Sequence, residues 1–405
     1  MAGFFLLMFL LPSCHDENVI NPIAPEEEFE TRAVTLTPIE QLGKNIFNDN
    51  ISFPNKQSCA TCHAPGFGFT GNHPGANLKE GIYRGALSSR WGFRKPPSAA
   101  YATFSPTLYF DATRSSFIGG NNWDGSATGE HLGTPARDQA LLPFRNPLEM
   151  NNPSIEFVLS DIESSNYASL WTTVWGAPID YHNAAEADQL FHKVALSIAA
   201  YEASPEVNSF TSKFDYYLQG LTELNPEEAW GLVLFNTTGK CNLCHPSDGD
   251  QPLFTNFSYH NIGAPRNPNN PYYNMDTEYI GGEPINPEGG AWIDPGLGGM
   301  LQNHPNPAWQ AMAAQNWGKF KVPTLRNVGK KNGGGNTKAY HHNGIFKTLD
   351  EIVHFYNTRD TGSWPPPEVA ENINTTAMGN LGLTLQEEKA IVAFMKTLSD
   401  GYILK

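Results

Sequence analysis

The sequence predicts a mainly α-helical protein made of two related units with long loops. The first observation is an internal repeat between "TPIEQLGKNIFN" at residues 37–48 and "NPEEAWGLVLFN" at residues 225–236. Both copies have a cap residue, a proline, an acid at the fourth place, a glycine at the seventh and a closing Phe-Asn. The second observation is that strict alternation of apolar and polar residues, typical of half-buried strands, is scarce. The third is the length of 405 residues, which is enough for two domains with a core each.

Both copies of the repeat carry the signals of a helix start. Thr37 and Asn225 stand at N-cap positions, each is followed by a proline, and an acid three residues after the cap can complete a capping box. Each copy leads into a short cysteine motif. We therefore predict one unit at residues 35–221 and a second at residues 222–405.

Two more segments have the apolar periodicity of packing helices. Residues 187–204 place most of their large apolar side chains on one helical face, and residues 384–400 open with a capping box before a similar face. Residues 94–110 and 256–307 are rich in Pro, Asn, Gly and aromatic residues, so we predict that they are loops.

The N-terminus has an apolar run at residues 4–11, which is too short to cross a bilayer but has the length of a signal-peptide core. Residues 11–14, Leu-Pro-Ser-Cys, resemble a bacterial lipobox, in which Cys14 is lipidated and becomes the first mature residue. We expect a lipoprotein signal peptide at residues 1–14 and an acidic tether at residues 15–34. The protein would then be anchored on the periplasmic side of a membrane, with the outer membrane favoured. The alternative is a free thiol on a disordered tail.

The formal net charge of -15 argues against nucleic acid as a partner, because its phosphates would be repelled. The charge is compatible with a soluble acidic surface and with docking of a basic protein. We expect contact with a membrane only through the lipid anchor.

Two segments, residues 59–63 and 241–245, have the pattern Cys-x-x-Cys-His. This spacing lets two thiols form thioether bonds along one edge of a haem while the adjacent histidine binds the iron. A four-cysteine zinc site or two redox disulfides would leave both histidines as coincidences. We therefore predict two covalently bound haem c groups. The predicted attachment residues and iron ligands are Cys59, Cys62 and His63 for the first haem, and Cys241, Cys244 and His245 for the second.

Further segments resemble the bacterial dihaem cytochrome c peroxidase family, which includes the MauG-type enzymes. They are "NNWDGSA" (121–127), "DQALLPFRNPLEMNN" (138–152), "LFTNFSYHNIGAP" (253–265), "FKVPTLRNVG" (320–329) and "AYHHNGIFKTLDEIVHFYN" (339–357). The resemblance covers nearly all of the chain from Thr37 onward. It implies two cytochrome-c-like haem domains, an N-terminal peroxidatic one and a C-terminal electron-transfer one, with long loops packed around the haems.

The resemblance implies three catalytic residues in the first unit. Trp123 would relay electrons between the haems, and Gln139 would lie in the distal pocket, where Pro143 also matches the family. Glu149 would move a proton between the two oxygens of a bound peroxide. The plainer alternatives are a core aromatic for Trp123, a helix-surface residue for Gln139 and a solvated acid for Glu149.

The resemblance also implies that Tyr356 binds the second iron, at a position where the peroxidases have methionine and MauG-type proteins have tyrosine. The periodicity of residues 348–356 agrees, because it predicts a helix that points Tyr356 inward. An anionic phenolate would favour the ferric state and lower the potential of that haem. In the alternative, Tyr356 is a core aromatic and His341, His342 or Met378 binds the iron.

Some peroxidases of the family block the first haem with a distal histidine until the second haem is reduced. Residues 71–98 offer no histidine at the matching place, since His73 lies too early. We therefore expect a five-coordinate first haem that needs no reductive activation.

The family binds calcium between the haems through one side-chain amide and two backbone carbonyls. The carbonyls would belong to Thr337 and Ala339, but Lys95 stands at the amide position. Because an ammonium group repels Ca²⁺, we do not expect calcium to bind.

Three functions remain open at this stage. The first is a c-type dihaem peroxidase that reduces hydrogen peroxide to water, with electrons from a small cytochrome c or cupredoxin that enter through the C-terminal haem. The second is a MauG-like oxidase that modifies tryptophan or tyrosine of a partner protein. The third is an electron-transfer dihaem cytochrome that is not an enzyme, against which Gln139 and Glu149 argue.

Overall fold

The computed structural model describes residues 34–71, 73–331 and 338–404. The predicted signal peptide with Cys14, the tether up to residue 33, and Thr337 lie outside the described residues. No helix within the described part is both long enough and apolar enough to cross a bilayer.

Helices supply most of the regular structure, which confirms the mainly α prediction. In the described residues the α-helices, named α1 to α13 in chain order, are Pro38–Asn48, Cys59–Cys62, Pro74–Leu78, Pro135–Arg145, Ile155–Glu163, Ala168–Trp175, Ala184–Ala203, Lys213–Leu218, Pro226–Asn236, Gly296–Gln302, Pro307–Gln310, Leu349–Thr358 and Leu385–Lys396. Short 3-10 helices lie at Pro65–Phe67, Ala102–Phe104, Cys241–Leu243, Pro271–Thr277, Gly289–Ala291 and Ala314–Asn316.

The strands of the described residues are very short and form three antiparallel pairs. In chain order β1 to β6 are Tyr109–Asp111, Ser116–Ile118, Tyr259–His260, Tyr279–Ile280, Glu283–Pro284 and Phe320–Lys321. β1 pairs with β2, β4 pairs with β5, and β3 pairs with β6. The β3–β6 pair sets Tyr259 opposite Lys321, which brings two distant loop segments together beside the candidate site.

The predicted helix starts are confirmed. Thr37, Asn225 and Thr384 are the N-caps of α1, α9 and α13, and each takes part in a complete capping box. Helix α7 covers the apolar segment predicted after residue 187 and begins three residues earlier than predicted, after the Asn183 cap.

One segment differs from the prediction, because α10 lies inside the stretch expected to be a loop. Its Gly-rich sequence has low helix propensity. Leu297 and Leu301, four residues apart on one face, are fully buried, so tertiary packing stabilises this helix.

Two hydrophobic cores surround the cysteine motifs. The first is built largely from α1, α4, α5, α6 and α7, and the second from α9, α12 and α13. Both cores belong to one contact unit that begins at Leu36. The division into two domains at residue 221 stays a prediction.

The repeated glycine of α1 and α9 has the same physical role in both cores. Helix α1 packs on α7 and α9 packs on α13. A Cβ atom at Gly43 would collide with the carbonyl oxygen of Ser197, and one at Gly231 would collide with that of Ala390. Each glycine therefore lets two helix backbones approach closely next to a cysteine motif.

We expect Gly43→Ala and Gly231→Ala each to lower the free energy of unfolding by about 1–3 kcal/mol, because backbone must move to admit the methyl group. Urea unfolding of the holoprotein measures this. Gly290→Ala is the matched control, since its Cβ would meet nothing within 4 Å, and it should change stability by less than about 0.5 kcal/mol. Equal stability of all three variants would contradict the close-approach role.

Candidate functional site

The first cysteine motif begins with a single helical turn. Ser58 caps α2, whose ends are Cys59 and Cys62, and His63 follows directly. Both thiols are free. The His63 ring donates from Nδ1 to the backbone carbonyl of Phe69 at 3.1 Å, which leaves Nε2 available to a metal. Burial lowers the pKa of His63 to about 4, so the ring is neutral at neutral pH, as a metal ligand must be.

A cavity of about 490 Å³ opens over this motif, within the size range of sites for small molecules and cofactors. We call it the first cavity. Its walls include both cysteines and His63 together with residues from α4 and the turn that follows it. The predicted distal residues Gln139, Pro143 and Glu149 all line it. The structure therefore brings the predicted distal residues to the first motif.

Glu149 lies in the turn after α4, where its backbone N–H donates to Asn146 and its carbonyl accepts from Ala86. Its side chain lines the first cavity and keeps accessible surface, while desolvation by the surrounding protein raises the pKa of its carboxyl to about 7. A carboxyl with a pKa near neutrality can both accept and donate a proton, as general acid–base catalysis requires.

Glu202 was missed by the sequence reasoning. It lies near the end of α7, lines the first cavity and is only 5% exposed. No donor bonds to its carboxyl among the described residues, and burial raises its pKa to about 8. A signal was present, because Glu202 falls four residues after Ile198, on the apolar face of an amphipathic helix.

His73, the candidate for a distal blocking histidine, does not line the first cavity. His73 is the exposed N-cap of α3, and its ring accepts from the backbone N–H of Ala76. Among the described residues that line the first cavity, His63 is the only histidine.

The second motif has the same histidine arrangement on a different local backbone. A 3-10 turn runs from Cys241 to Leu243, and both thiols of the motif are free. The His245 ring donates from Nδ1 to the carbonyl of Phe254 at 2.7 Å, and burial lowers its pKa to about 4. Both cysteines and His245 line a second cavity, whose walls combine apolar side chains of α12 and α13 with the segments at residues 320–328 and 338–341.

Three of the four candidate ligands for the second iron line this second cavity: Tyr356, His341 and Met378. Burial first, and then the neighbouring thiols of Cys244 and Cys241, raise the pKa of Tyr356, so its hydroxyl lies beside the motif. His342 is not in the cavity wall. Its ring stacks on Phe320 with centroids 3.5 Å apart, and it is 2% exposed.

Trp123 lies between the two cavities and lines both. Its indole N–H donates to the carbonyl of Lys95 at 2.7 Å, and its own carbonyl accepts from the backbone of Lys321. The ring is also within 6.4 Å of the rings of His341 and His342, measured between centroids. A relay position is therefore geometrically available to it.

The separation of the two motifs does not fit the zinc alternative, which needs all four thiols around one ion. The two cysteine pairs line different cavities. Burial also raises the pKa of Cys62 to about 12 and of Cys244 to about 11, which does not fit a reactive redox disulfide. Free thiol pairs, each followed by a neutral histidine at a cavity, fit covalent haem.

The residues at the expected calcium position do not fit a calcium ion. The Lys95 ammonium donates to the hydroxyl of Thr70 at 2.8 Å and to the carbonyl of Pro96 at 2.9 Å. Its ammonium therefore takes the place at which the family has a neutral amide oxygen. Of the two residues whose carbonyls the family would use, Ala339 is fully buried and Thr337 lies outside the described residues.

Comparisons with known proteins agree with this geometry. The family model described as di-haem cytochrome c peroxidase matches residues 38–223. The chain is 31% identical to the methylamine utilization protein MauG of Paracoccus denitrificans (strain Pd 1222), over 89% of this chain and 88% of that protein. It is 26% identical to the cytochrome-c peroxidase IdrP2 of Denitromonas iodatirespirans, over 89% of this chain and 81% of that protein.

A solved structure has the same fold. The diheme peroxidase BthA from Burkholderia thailandensis E264 matches with a TM-score of 0.70 and 26% identity, over 91% of this chain and 87% of that chain. The likeness confirms the predicted fold class.

We expect Tyr356→Phe to change the absorption and EPR spectra of one haem only, because Tyr356 lines the second cavity beside Cys241 and Cys244 and not the first. Met378→Leu is the matched control at the same cavity and should leave both haems unchanged. A Tyr356→Phe spectrum identical to that of the wild type would remove Tyr356 as an iron ligand.

Proposed function

The chain belongs to the di-haem cytochrome c peroxidase family, and from that premise we propose that it reduces hydrogen peroxide to water with electrons from an external donor. The observation that carries the proposal is the position of Glu149. This carboxyl lines the cavity above the first Cys-x-x-Cys-His motif and has a pKa of about 7. An electron-transfer cytochrome has no need for an acid–base group at this place.

Reduction of one hydrogen peroxide consumes two electrons and two protons and yields two waters. A bound haem, held by Cys59, Cys62 and His63, would supply the iron at which peroxide is reduced. Glu149 then accepts a proton from one peroxide oxygen and returns it to the other, which leaves as water. Gln139 lines the same cavity and can orient peroxide or water through its amide.

Electrons would enter through the second haem, which Cys241, Cys244 and His245 would hold. The acidic chain, with its net charge of -15, favours a donor with a basic surface, such as a small cytochrome c or a cupredoxin. Trp123 supports the route from the second cavity to the first because it lines both. Export and lipid anchoring through Cys14 would place this exchange on the periplasmic side of a membrane.

A MauG-like oxidase is the second candidate, and the position of Tyr356 favours it. The tyrosine lies beside Cys241 and Cys244, and its phenolate would stabilise oxidised iron. Oxidising equivalents could then pass to a tryptophan or tyrosine of a partner protein. Steady turnover of peroxide with a reduced small cytochrome supports the peroxidase. A mass change in a co-purified partner protein, without such turnover, supports the oxidase.

We expect Glu149→Gln to slow the reaction of the ferric protein with hydrogen peroxide by about 10²–10⁴-fold, because proton transfer is lost. In the wild type the rate should fall as the pH drops below about 7, since burial raises the Glu149 pKa to that value and only the carboxylate accepts a proton. Stopped-flow absorption measures both effects.

The control for this experiment is Glu163→Gln, which removes an exposed carboxylate at the end of α5 and should react like the wild type. A fast Glu149→Gln variant, or a wild-type rate that does not change across pH 7, would contradict the assignment.

A further inference from the structure

Two buried lysines line the second cavity, and the proposed chemistry does not use them. Lys95 is 6% exposed and Lys338 is 4% exposed. Both line the second cavity, and Lys95 also lines the first. The two amines bond to the same short segment, Lys95 to the Thr70 hydroxyl and Lys338 to the Phe67 carbonyl, three residues apart. Burial first, and then the charge of Lys95, lower the pKa of Lys338.

Each ammonium group has only neutral partners. Lys95 Nζ donates to the Thr70 hydroxyl and the Pro96 carbonyl. Lys338 Nζ donates to the carbonyls of Phe67 and Asn327, at 2.9 and 2.7 Å. An ammonium has three N–H bonds, so each lysine keeps one that the described residues do not use.

No acidic side chain of the described residues bonds to either lysine. The charges that act on Lys338 are those of other lysines, and burial alone shifts Lys95. The segment at residues 332–337, "NGGGNT", contains no acidic residue either. An unpaired cation in a protein interior costs several kcal/mol, and a second one beside it adds repulsion. Without an anion, burial favours the neutral amines and lowers the pKa of Lys95 to about 7; an anion beside both groups would hold them as ammonium ions.

The anion must fit inside the cavity that both lysines line. A carboxylate has two oxygens that can each accept one charge-assisted hydrogen bond, which matches two ammonium groups that each keep one N–H without an acceptor among the described residues. Haem brings carboxylates of its own in its two propionate groups. The second cavity is the place where Cys241 and Cys244 would attach one haem.

We propose that Lys95 and Lys338 form a paired-ammonium site that binds a propionate carboxylate of the haem in the second cavity. The pair then compensates the charge of the cofactor and joins the segment after the first motif to the second haem, because Lys338 also bonds to Phe67. The inference depends on haem binding in the proposed function, but not on peroxide turnover.

Lys321 offers a matched control. It is a buried lysine in the wall of the same cavity, but its three N–H bonds have three acceptors, namely the Ser105 hydroxyl, the Gly120 carbonyl and the Asn121 side chain. Removing it takes away the same charge at a similar place without taking a donor from a propionate.

The test uses the ferric holoprotein without peroxide, so that its result is independent of catalysis. Resonance Raman spectroscopy reports the propionate bending modes, and potentiometry reports the midpoint potential of each haem. Lys95→Met and Lys338→Met should shift a propionate mode and lower the potential of the second haem, because a nearby cation favours the reduced state. Lys321→Met should leave the propionate modes unchanged.

Propionate modes that stay unchanged in both variants, or that shift equally in Lys321→Met, would overturn the proposal. If Lys338→Met loses haem or fails to fold, Lys95→Met decides by itself, and propionate modes that stay unchanged in it overturn the proposal. Lys95→Arg is the rescue variant, because it keeps the charge and a donor, and it should keep the wild-type potential.

Discussion

The hydrogen bond from each motif histidine to a backbone carbonyl is the constraint on which both sites depend. His63 donates to Phe69 and His245 donates to Phe254, and these bonds fix the ring so that Nε2 is the free nitrogen. Both phenylalanines have left-handed backbone conformations, with φ of 56° and 52°. Non-glycine residues adopt this region at a cost of roughly 1–2 kcal/mol. The same costly geometry in both halves of the repeat indicates that the carbonyl position is required for function.

The histidine hydrogen bond is the same at both motifs. The difference between the two sites therefore comes from the residues that form the cavity walls. The first cavity has Glu149 and Gln139 from α4 and the turn after it, both able to exchange protons or hydrogen bonds with a small substrate. The second has Tyr356 among largely apolar side chains, with buried lysines at one side, which suits a closed iron that stores or passes electrons. Trp123 lies in both walls. The repeat therefore supplies two similar haem sites, and the loops make them chemically different.

Features that depend on short stretches of sequence could be predicted. The caps at Thr37 and Asn225 mark helix starts by local hydrogen bonding, and the cysteine spacing indicates haem by itself. The placing of Glu149 above the first motif needed a family resemblance, because no local pattern distinguishes it from a surface acid. The position of Lys95 and Lys338 in the wall of one cavity could not be predicted, since more than half of the chain separates them and only loop packing brings them to it. Glu202 carried a helical signal that was overlooked.

The two irons are expected to differ in their distal ligands, and low-temperature EPR of the ferric protein tests this difference directly. An open first cavity without a second histidine predicts a high-spin signal, and a cavity closed by a protein ligand predicts a low-spin signal. We expect the two signals in equal amounts, with two haems per chain by pyridine haemochrome assay. Two low-spin signals in the wild type would mean that a protein ligand closes the first iron, and would contradict the account.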